Sequence, residues 1–424
     1  MSHASEKWMA SLPAHALAYA VATIVVGAVV RLVFPFILPV RIVEGPLVQG
    51  ADGDQATLIW YTNRHVHCDV RAGDSGAPLQ RAEVDGTRHR IRLTGLPRDK
   101  DQRYEVLCES RVLHKAALKS VQPAATAFGF IVFGDSGRGS SEQYRLAQRM
   151  EELAGSDARV KFLLHTGDLV YGAGQRSDYR DRFFAPYRRL IDRLCFWPSL
   201  GNHDVSEPNP AQAYREVFEL PENGPAGLTP EENYWFDFGS ARIVVADTNL
   251  AEAELAARVA PWMASAFAAA PHAIRWRFAV FHHPPYTVGP HVKDESRPGI
   301  ERVMVPAIQA AGVDIVFCGH DHLYQRTRPL WNGVPTGQEA VSSAPAPAAG
   351  ERGAEGRGVV YIVSGAGGAK LYEAAPAASR PAYFEKVIDN IHSFTHVAID
   401  GATLHLRQIS VNGEILDDVT MSGR

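Results

Sequence analysis

Two rhythms of apolar and polar positions divide the chain. Over residues 41–124, short runs such as QATLIWYT, HCDVRAG, TRHRIRLTGL and QRYEVLCES are separated by turn residues. Side chains alternate between the two faces of a strand, so this spacing predicts a small antiparallel sandwich. Tyr104 follows the turn Thr94-Gly95-Leu96-Pro97 and is expected in the core with its hydroxyl tied. From Ala125 onward, runs rich in β-branched and aromatic residues alternate with helical patterns. FGFIVFG leads into SEQYRLAQRMEELA, VKFLLHTGD into SDYRDRFFAPYRRLIDR, and GNHD into AQAYREVFEL. NYWFDFGSARIVVADTN reads as a hairpin turning at Gly239-Ser240. AELAARVAPWMASAFAAA reads as a helix that Pro261 breaks or restarts, and GIERVMVPAIQAAG as a helix between RFAVFHH and VDIVFCGH. This alternation predicts an α/β unit with both sheet faces covered. Gly337–Gly358 lacks large apolar groups and reads as a mobile surface loop. The final segment THVAIDGATLHLRQISVNGEILD reads as strands joined at Asp-Gly and Asn-Gly, pairs that hairpins favour.

The N-terminus follows neither rhythm. PAHALAYAVATIVVGAVV, from Pro13 to Val30, has no formal charge. As a helix rising ~1.5 Å per residue it would cover most of a ~30 Å hydrocarbon core. No small-x-small site closes the run, and its leading segment carries Lys7 beside Glu6. A hydrophobic anchor or uncleaved signal is therefore expected over residues 1–40, rather than a cleaved leader. That makes a membrane the expected partner, with the main domain outside the cytoplasm, periplasmic or at the cell surface. Arg31 and Arg41 outweigh Lys7, so the charges leave the orientation poorly specified.

At 424 residues the chain exceeds one comfortable core, so two domains are expected. The net charge of -4 comes without a basic stripe, which argues against nucleic acid as a partner. The four cysteines show no metal-type spacing. Cys68 and Cys108 lie in alternating patterns that turn both inward. A disulfide, which would fit an oxidising compartment, and two buried thiols both suit them. Cys195 and Cys318 read as core residues.

Five motifs carry the chemistry: Gly134-Asp135-Ser136-Gly137, Gly167-Asp168-Leu169-Val170-Tyr171, Gly201-Asn202-His203-Asp204, His282-His283 and Gly319-His320-Asp321-His322. Each follows a strand-like run. A strand ending in Gly delivers the next side chain to the carboxyl edge of a sheet, where ligand sites gather. Carboxylate, imidazole, amide and phenol donors converging there suit a metal cluster. The chain therefore reads as a two-metal phosphoesterase. GDSG is also similar to the text around a serine-protease nucleophile, but here it ends a strand that feeds a helix, and that reading leaves four motifs unexplained. GDSGRGSS lacks the Gly-Lys-Ser/Thr ending of a P-loop.

In order, these blocks match GDxG, GDxxY, GNH[DE], VxxH and GHxH, and so resemble the purple acid phosphatases within the calcineurin-like metallophosphoesterases. The resemblance spans most of residues 130–325 and extends weakly to Ser364-Gly365-Ala366-Gly367-Gly368. It implies an α/β (α+β) four-layer sandwich over residues 125–424, behind a fibronectin III-like β-sandwich over residues 41–124. It implies two metal ions, with Asp135, Asp168, Tyr171 and His322 holding the first. Asp168 bridges to a second held by Asn202, His283 and His320. Val280-Phe281-His282-His283, read as V-x-x-H, favours His283 over His282. A phenolate from Tyr171 favours Fe(III), beside a divalent Zn, Fe or Mn ion. His203 would stabilise charge or protonate the leaving oxygen, its tautomer fixed by Asp204. His291 would meet the substrate, although Pro284–Pro290 departs from the family's text. Gln325 replaces a frequent Glu. Arg138 reads as solvated and His165 as structural. The implied activity is acid phosphatase-like hydrolysis of phosphomonoesters by a hydroxide on a metal. A metal-dependent phosphodiesterase and a membrane-tethered, non-enzymatic binding protein are the alternatives.

Overall fold

In the computed structural model, residues 39–74, 76–98, 100–120, 125–206, 210–336 and 358–423 are described. Alternation shapes the N-terminal part. Along Arg88–Leu93, His89, Ile91 and Leu93 are buried while the arginines between them face outward. This strand joins Ile42–Asp52, Gln55–Thr62 and Glu83–Asp85 in one four-stranded sheet. Leu79–Arg81, Cys68–Ala72, Gln102–Cys108 and Arg111–Leu118 form a second. Leu47, Leu58, Val70 and Val106 from the two sheets meet in one apolar cluster. Cys68 stands directly opposite Cys108 in the antiparallel pair and forms a disulfide with it. Cys195 and Cys318 are buried free thiols, as expected.

Two larger sheets follow. The six-stranded sheet runs Cys195–Pro198, Val160–His165, Ala127–Phe133, Ser393–Asp400, Thr403–Ser410, Ile415–Ser422. The seven-stranded sheet runs Tyr234–Phe238, Ala241–Val245, Trp276–Val280, Ile315–Cys318, Val360–Ser364, Tyr324–Thr327, Phe384–Ile388. Phe130 stacks on Phe162 in its own sheet and meets Phe278 and Phe317 of the other edge-on, so the sheets face one another through aromatic rings. Leu146 and Met150 of helix Ser141–Ser156 join the core of the first sheet. Met263 and Phe267 of Ala260–Ala268, with Met304 and Ile308 of Arg297–Ala310, pack beneath Val244, Ala279 and Val316 of the second. The hairpin turns at Gly239-Ser240 as its pattern indicates, and Pro261 begins a new helical turn.

Strand direction places the site. Val160–His165 runs parallel to both neighbours, and Ala241–Val245, Trp276–Val280, Ile315–Cys318 and Val360–Ser364 run parallel to one another. All five motifs therefore emerge from carboxyl ends of strands.

The N-terminal sheets brace this arrangement. Tyr104 Oη donates to the Asp192 carbonyl at 2.8 Å, and Tyr61 Oη to the Glu216 carbonyl at 2.8 Å. Gln49 donates to the Phe196 carbonyl and accepts from the Glu219 amide. The buried Glu44 carboxylate pairs with Arg176 and Arg180.

One expectation is corrected. No helix among the described residues is long and apolar enough to cross a membrane, so the membrane-anchored placement of the main domain is withdrawn. Residues 1–38, which include the apolar stretch read as an anchor, lie outside the described residues, as do residues 337–357 of the expected loop.

The disulfide closes a sequence separation of 40 residues. Restricting a loop of that length in the unfolded chain stabilises the fold by about 2–4 kcal/mol. Replacing both Cys68 and Cys108 by Ala should lower unfolding free energy by that amount in a denaturant titration, with metal content unchanged.

Candidate metal centre

The motif residues sit in turns that L-amino acids rarely adopt. Asp135 (φ 57°), Asp168 (φ 58°) and His320 (φ 71°) are all left-handed. Such strain clusters where surrounding structure holds a functional geometry. The accompanying glycines leave room for the acids. A Cβ on Gly201 would overlap the Asp168 carboxylate, and one on Gly319 would overlap that of Asp135.

Asp135, Asp168 and His322 form one cluster, their candidate donor atoms all within 4.8 Å of one another. Tyr171 Oη completes it, 2.8 Å from His322 Nε2 and 3.5 Å from Asp135 Oδ1. Burial, then mutual repulsion with Asp168, pushes the Asp135 carboxyl well above its usual range; burial raises Asp168 too. Tyr171 is raised by burial and by the same two acids. Among the described residues, the ion-pair distances these acids make are to histidines, not to Lys or Arg. Buried carboxylates without a paired cation are costly, and hard oxygen donors beside imidazole suit metal ions. The donor set therefore fits the implied group.

Asn202 Oδ1 marks a second cluster, 3.0 Å from His282 Nε2 and 3.1 Å from His320 Nδ1. His282 Nε2 is also 3.5 Å from Asp168 Oδ1, so Asp168 touches both groups. Of the two candidate imidazoles, that of His282 faces Asn202 and Asp168. His283 lies in the same imidazole cluster, but its Nδ1 is 2.9 Å from the Thr248 hydroxyl. The strand ends at Val280, so strict alternation no longer decides which side chain turns inward beyond it.

Outward acceptors set the tautomers of the three inward imidazoles. His282 Nδ1 donates to the Thr166 carbonyl at 2.9 Å, His322 Nδ1 to the Lys370 carbonyl at 2.7 Å, and His320 Nε2 to Asp294 Oδ2 at 2.8 Å. Each bond leaves the opposite nitrogen with its lone pair facing the centre. Burial and neighbouring imidazoles push all three below the usual histidine range, His322 to about 4. All three are therefore neutral at pH 7 and able to ligate.

His203 stands at the mouth. Its Nδ1 donates to the Gly172 carbonyl at 3.1 Å, its Nε2 lies 4.0 Å from Asp168 Oδ2, and its ring is 4.7 Å from that of Tyr171. Asp204 does not orient this ring, which corrects its expected role. Its buried carboxylate accepts from the backbone amides of Gly201 (2.9 Å), Leu169 (3.0 Å) and Val170 (3.3 Å), splinting two motifs together. Burial and then repulsion from Asp168 raise its pKa to about 8. His291 reaches the site with its ring 3.8 Å from that of His320. Arg138 is exposed yet lies 4.2 Å above the Tyr171 ring.

Sequence reasoning missed Asp294 and Tyr372. Asp294 binds His291 and His320; Tyr372 stacks on His322 at 4.0 Å. The H-x-x-D spacing from His291 to Asp294 was the available signal for the first. Gln325 is buried and spans the Tyr286 carbonyl and the Val288 amide, which makes it a brace for the loop below His291. The serine-protease likeness fails on proton placement. His165 Nδ1 accepts from the Gly167 amide, so its Nε2 donates to Ser136 Oγ (2.9 Å) and cannot act as a base towards it.

Comparison with known proteins agrees with this geometry. Residues 128–324 match the family described as calcineurin-like phosphoesterase. The chain is 28% identical over 275 residues to "Probable inactive purple acid phosphatase 1" of Arabidopsis thaliana, covering 57% of this chain and 41% of that protein. It is 25% identical to acid phosphatase type 7 of Homo sapiens over 68% of this chain and 66% of that one. The chain thus spans about two fifths of the first relative and just under two thirds of the second. The fold matches the purple acid phosphatase PPD1 from yellow lupin (Lupinus luteus) seeds with a TM-score of 0.76 at 19% identity, covering 91% of this chain and 75% of that one. PhoD gives 0.60 at 12% identity, covering 89% and 88%. Residues 128–324 thus match the calcineurin-like phosphoesterase family, purple acid phosphatases are among the proteins the chain resembles, and its fold matches that of one of them.

Proposed function

We propose that the protein is a dinuclear-metal phosphatase that hydrolyses phosphomonoesters in acid phosphatase fashion. The observation supporting this reading is the meeting of Asp135, Asp168, Tyr171, Asn202, His282, His320 and His322 from separate strand ends within hydrogen-bonding reach. One ion would be held by Asp135, Asp168, Tyr171 and His322, the other by Asp168, Asn202, His282 and His320. The phenol favours Fe(III) in the first place, beside divalent Zn, Fe or Mn. When bound, such a pair supplies Lewis acidity and an activated water for in-line displacement at phosphorus.

The chain's own groups supply the rest. Asp204 fixes the backbone of the two motifs that carry Asp168 and Asn202. His203, its Nδ1 proton engaged by Gly172, presents Nε2 at the mouth, where a proton there can pass to the leaving oxygen. His291, its ring 3.8 Å from that of His320, is suited to a phosphoryl oxygen.

The deciding experiment joins elemental analysis and an absorption spectrum of freshly purified protein with hydrolysis of an aryl phosphate. Two metals without turnover would overturn the enzymatic reading, and faster hydrolysis of an aryl diester than of the monoester would overturn the substrate class.

Two mutational outcomes are expected. Asp168→Ala should lose both metals and at least roughly 10²–10³-fold in kcat, the scale set by losing one transition-state-stabilising group; normal metal content would remove its bridging role. His282→Ala should lose the second ion whereas His283→Ala keeps it, as read by metal analysis, and the reverse pattern would restore His283 as ligand.

A further inference from the structure

We infer that Asp294 is a positioning residue that locks the second ion's His320 and the substrate-side His291 into one register; this rests on the phosphatase reading above. One oxygen does both tasks. Asp294 Oδ2 lies 2.8 Å from His320 Nε2 and 2.9 Å from His291 Nδ1. An ionised carboxylate only accepts, so both nitrogens donate to it. Donation from Nε2 leaves the His320 lone pair on Nδ1, the nitrogen 3.1 Å from Asn202 Oδ1 and 3.1 Å from His282 Nε2. Donation from Nδ1 leaves His291 Nε2 unused by this bond, on a ring held at 36° to that of His320.

Asp294 differs from the acceptors behind the other two inward imidazoles. Thr166 and Lys370 offer neutral carbonyls to His282 and His322, whereas Asp294 offers an anion. An anionic acceptor makes the far nitrogen a stronger donor to a metal, and loss of such partners typically weakens metal affinity 10–100-fold.

The placement is built from below. Asp294 closes the 3-10 turn Pro290–Lys293 and returns its amide to the His291 carbonyl at 3.0 Å. Asp321, between His320 and His322 in sequence, accepts the His291 amide at 3.2 Å and the Thr287 hydroxyl. Gln325 fixes Tyr286 and Val288. The segment carrying His320 thus also holds the loop carrying Asp294. With 35% of its side chain exposed, Asp294 is not part of the core, and its replacement should leave the fold intact.

The test compares Asp294→Ala and Asp294→Asn with the wild-type full chain, measuring affinity for each ion by chelator competition, and KM and kcat on an aryl phosphate. The alanine variant should bind the second ion ~10–100-fold more weakly with the first unaffected. Asparagine, which keeps an acceptor but no charge, should fall between. Excess divalent ion should restore kcat, while KM stays raised because His291 is no longer held. Unchanged second-ion affinity and KM in the alanine variant would overturn the proposal. So would a third equivalent of metal in the wild type that the variant lacks, because His291, Asp294 and His320 would then be ligands of another cation. A wild type that binds no metal or cleaves no phosphoester refutes the phosphatase reading itself, a result distinct from either of these.

Discussion

Two carboxylates buried side by side are the constraint on which the site depends. Asp135 and Asp168 are almost wholly withdrawn from water, and burial together with their mutual repulsion raises the pKa of Asp135. Neither has a Lys or Arg partner among the described residues. Removing one such charge from water costs several kcal/mol even after relaxation. A fold that holds two of them together in left-handed turns is accepting local instability at a site where a positive group belongs. The surrounding donors point to the nature of that group, since a phenol, an amide oxygen and neutral imidazoles suit a metal ion better than an organic cation.

Much of the remaining architecture serves to keep those donors fixed. Parallel strands bring the motif loops to one edge. Glycine at 201 and 319 lets one loop approach the acid of another, so any larger side chain at either position would displace the carboxylate itself. The N-terminal sheets hold Phe196 through Gln49 and hold Asp192 through Tyr104. These contacts brace the strand Cys195–Pro198, which runs directly into the loop bearing Asn202 and His203.

The sequence made some of this readable and not the rest, for physical reasons. Strand-Gly-Asp junctions are local: hydrophobic runs, a tight turn and the chemistry-bearing residue lie within a few positions, so Asp135, Asp168, Tyr171, Asn202, His320 and His322 were legible as candidates, and the fold brings them close together. The V-x-x-H pattern favoured His283, whereas His282 is the imidazole beside Asn202; the strand stops at Val280, so alternation does not say which of the two turns inward. Asp204 was given the wrong partner because adjacency in sequence suggests contact, whereas its carboxylate turns back onto the amides of Gly201, Leu169 and Val170. Asp294 was overlooked for the opposite reason: the H-x-x-D spacing links it only to His291, while its bond to His320 crosses 26 residues and depends on a loop folded back by Asp321 and Gln325.

That contrast separates what a motif encodes from what a fold adds. The motifs fix which atoms can meet a metal; the acceptors behind them fix which nitrogen of each imidazole does so. His282 and His322 obtain that choice from backbone carbonyls, which any sequence would supply at those positions. His320 obtains it from a side chain, and the same side chain holds His291 at the mouth. A backbone acceptor is preserved through substitution, whereas a side-chain acceptor can be gained, lost or changed in charge. On the proposed phosphatase reading, the Pro284–Asp294 segment is therefore where this chain would tune the second ion and the approach of substrate outside the five motifs.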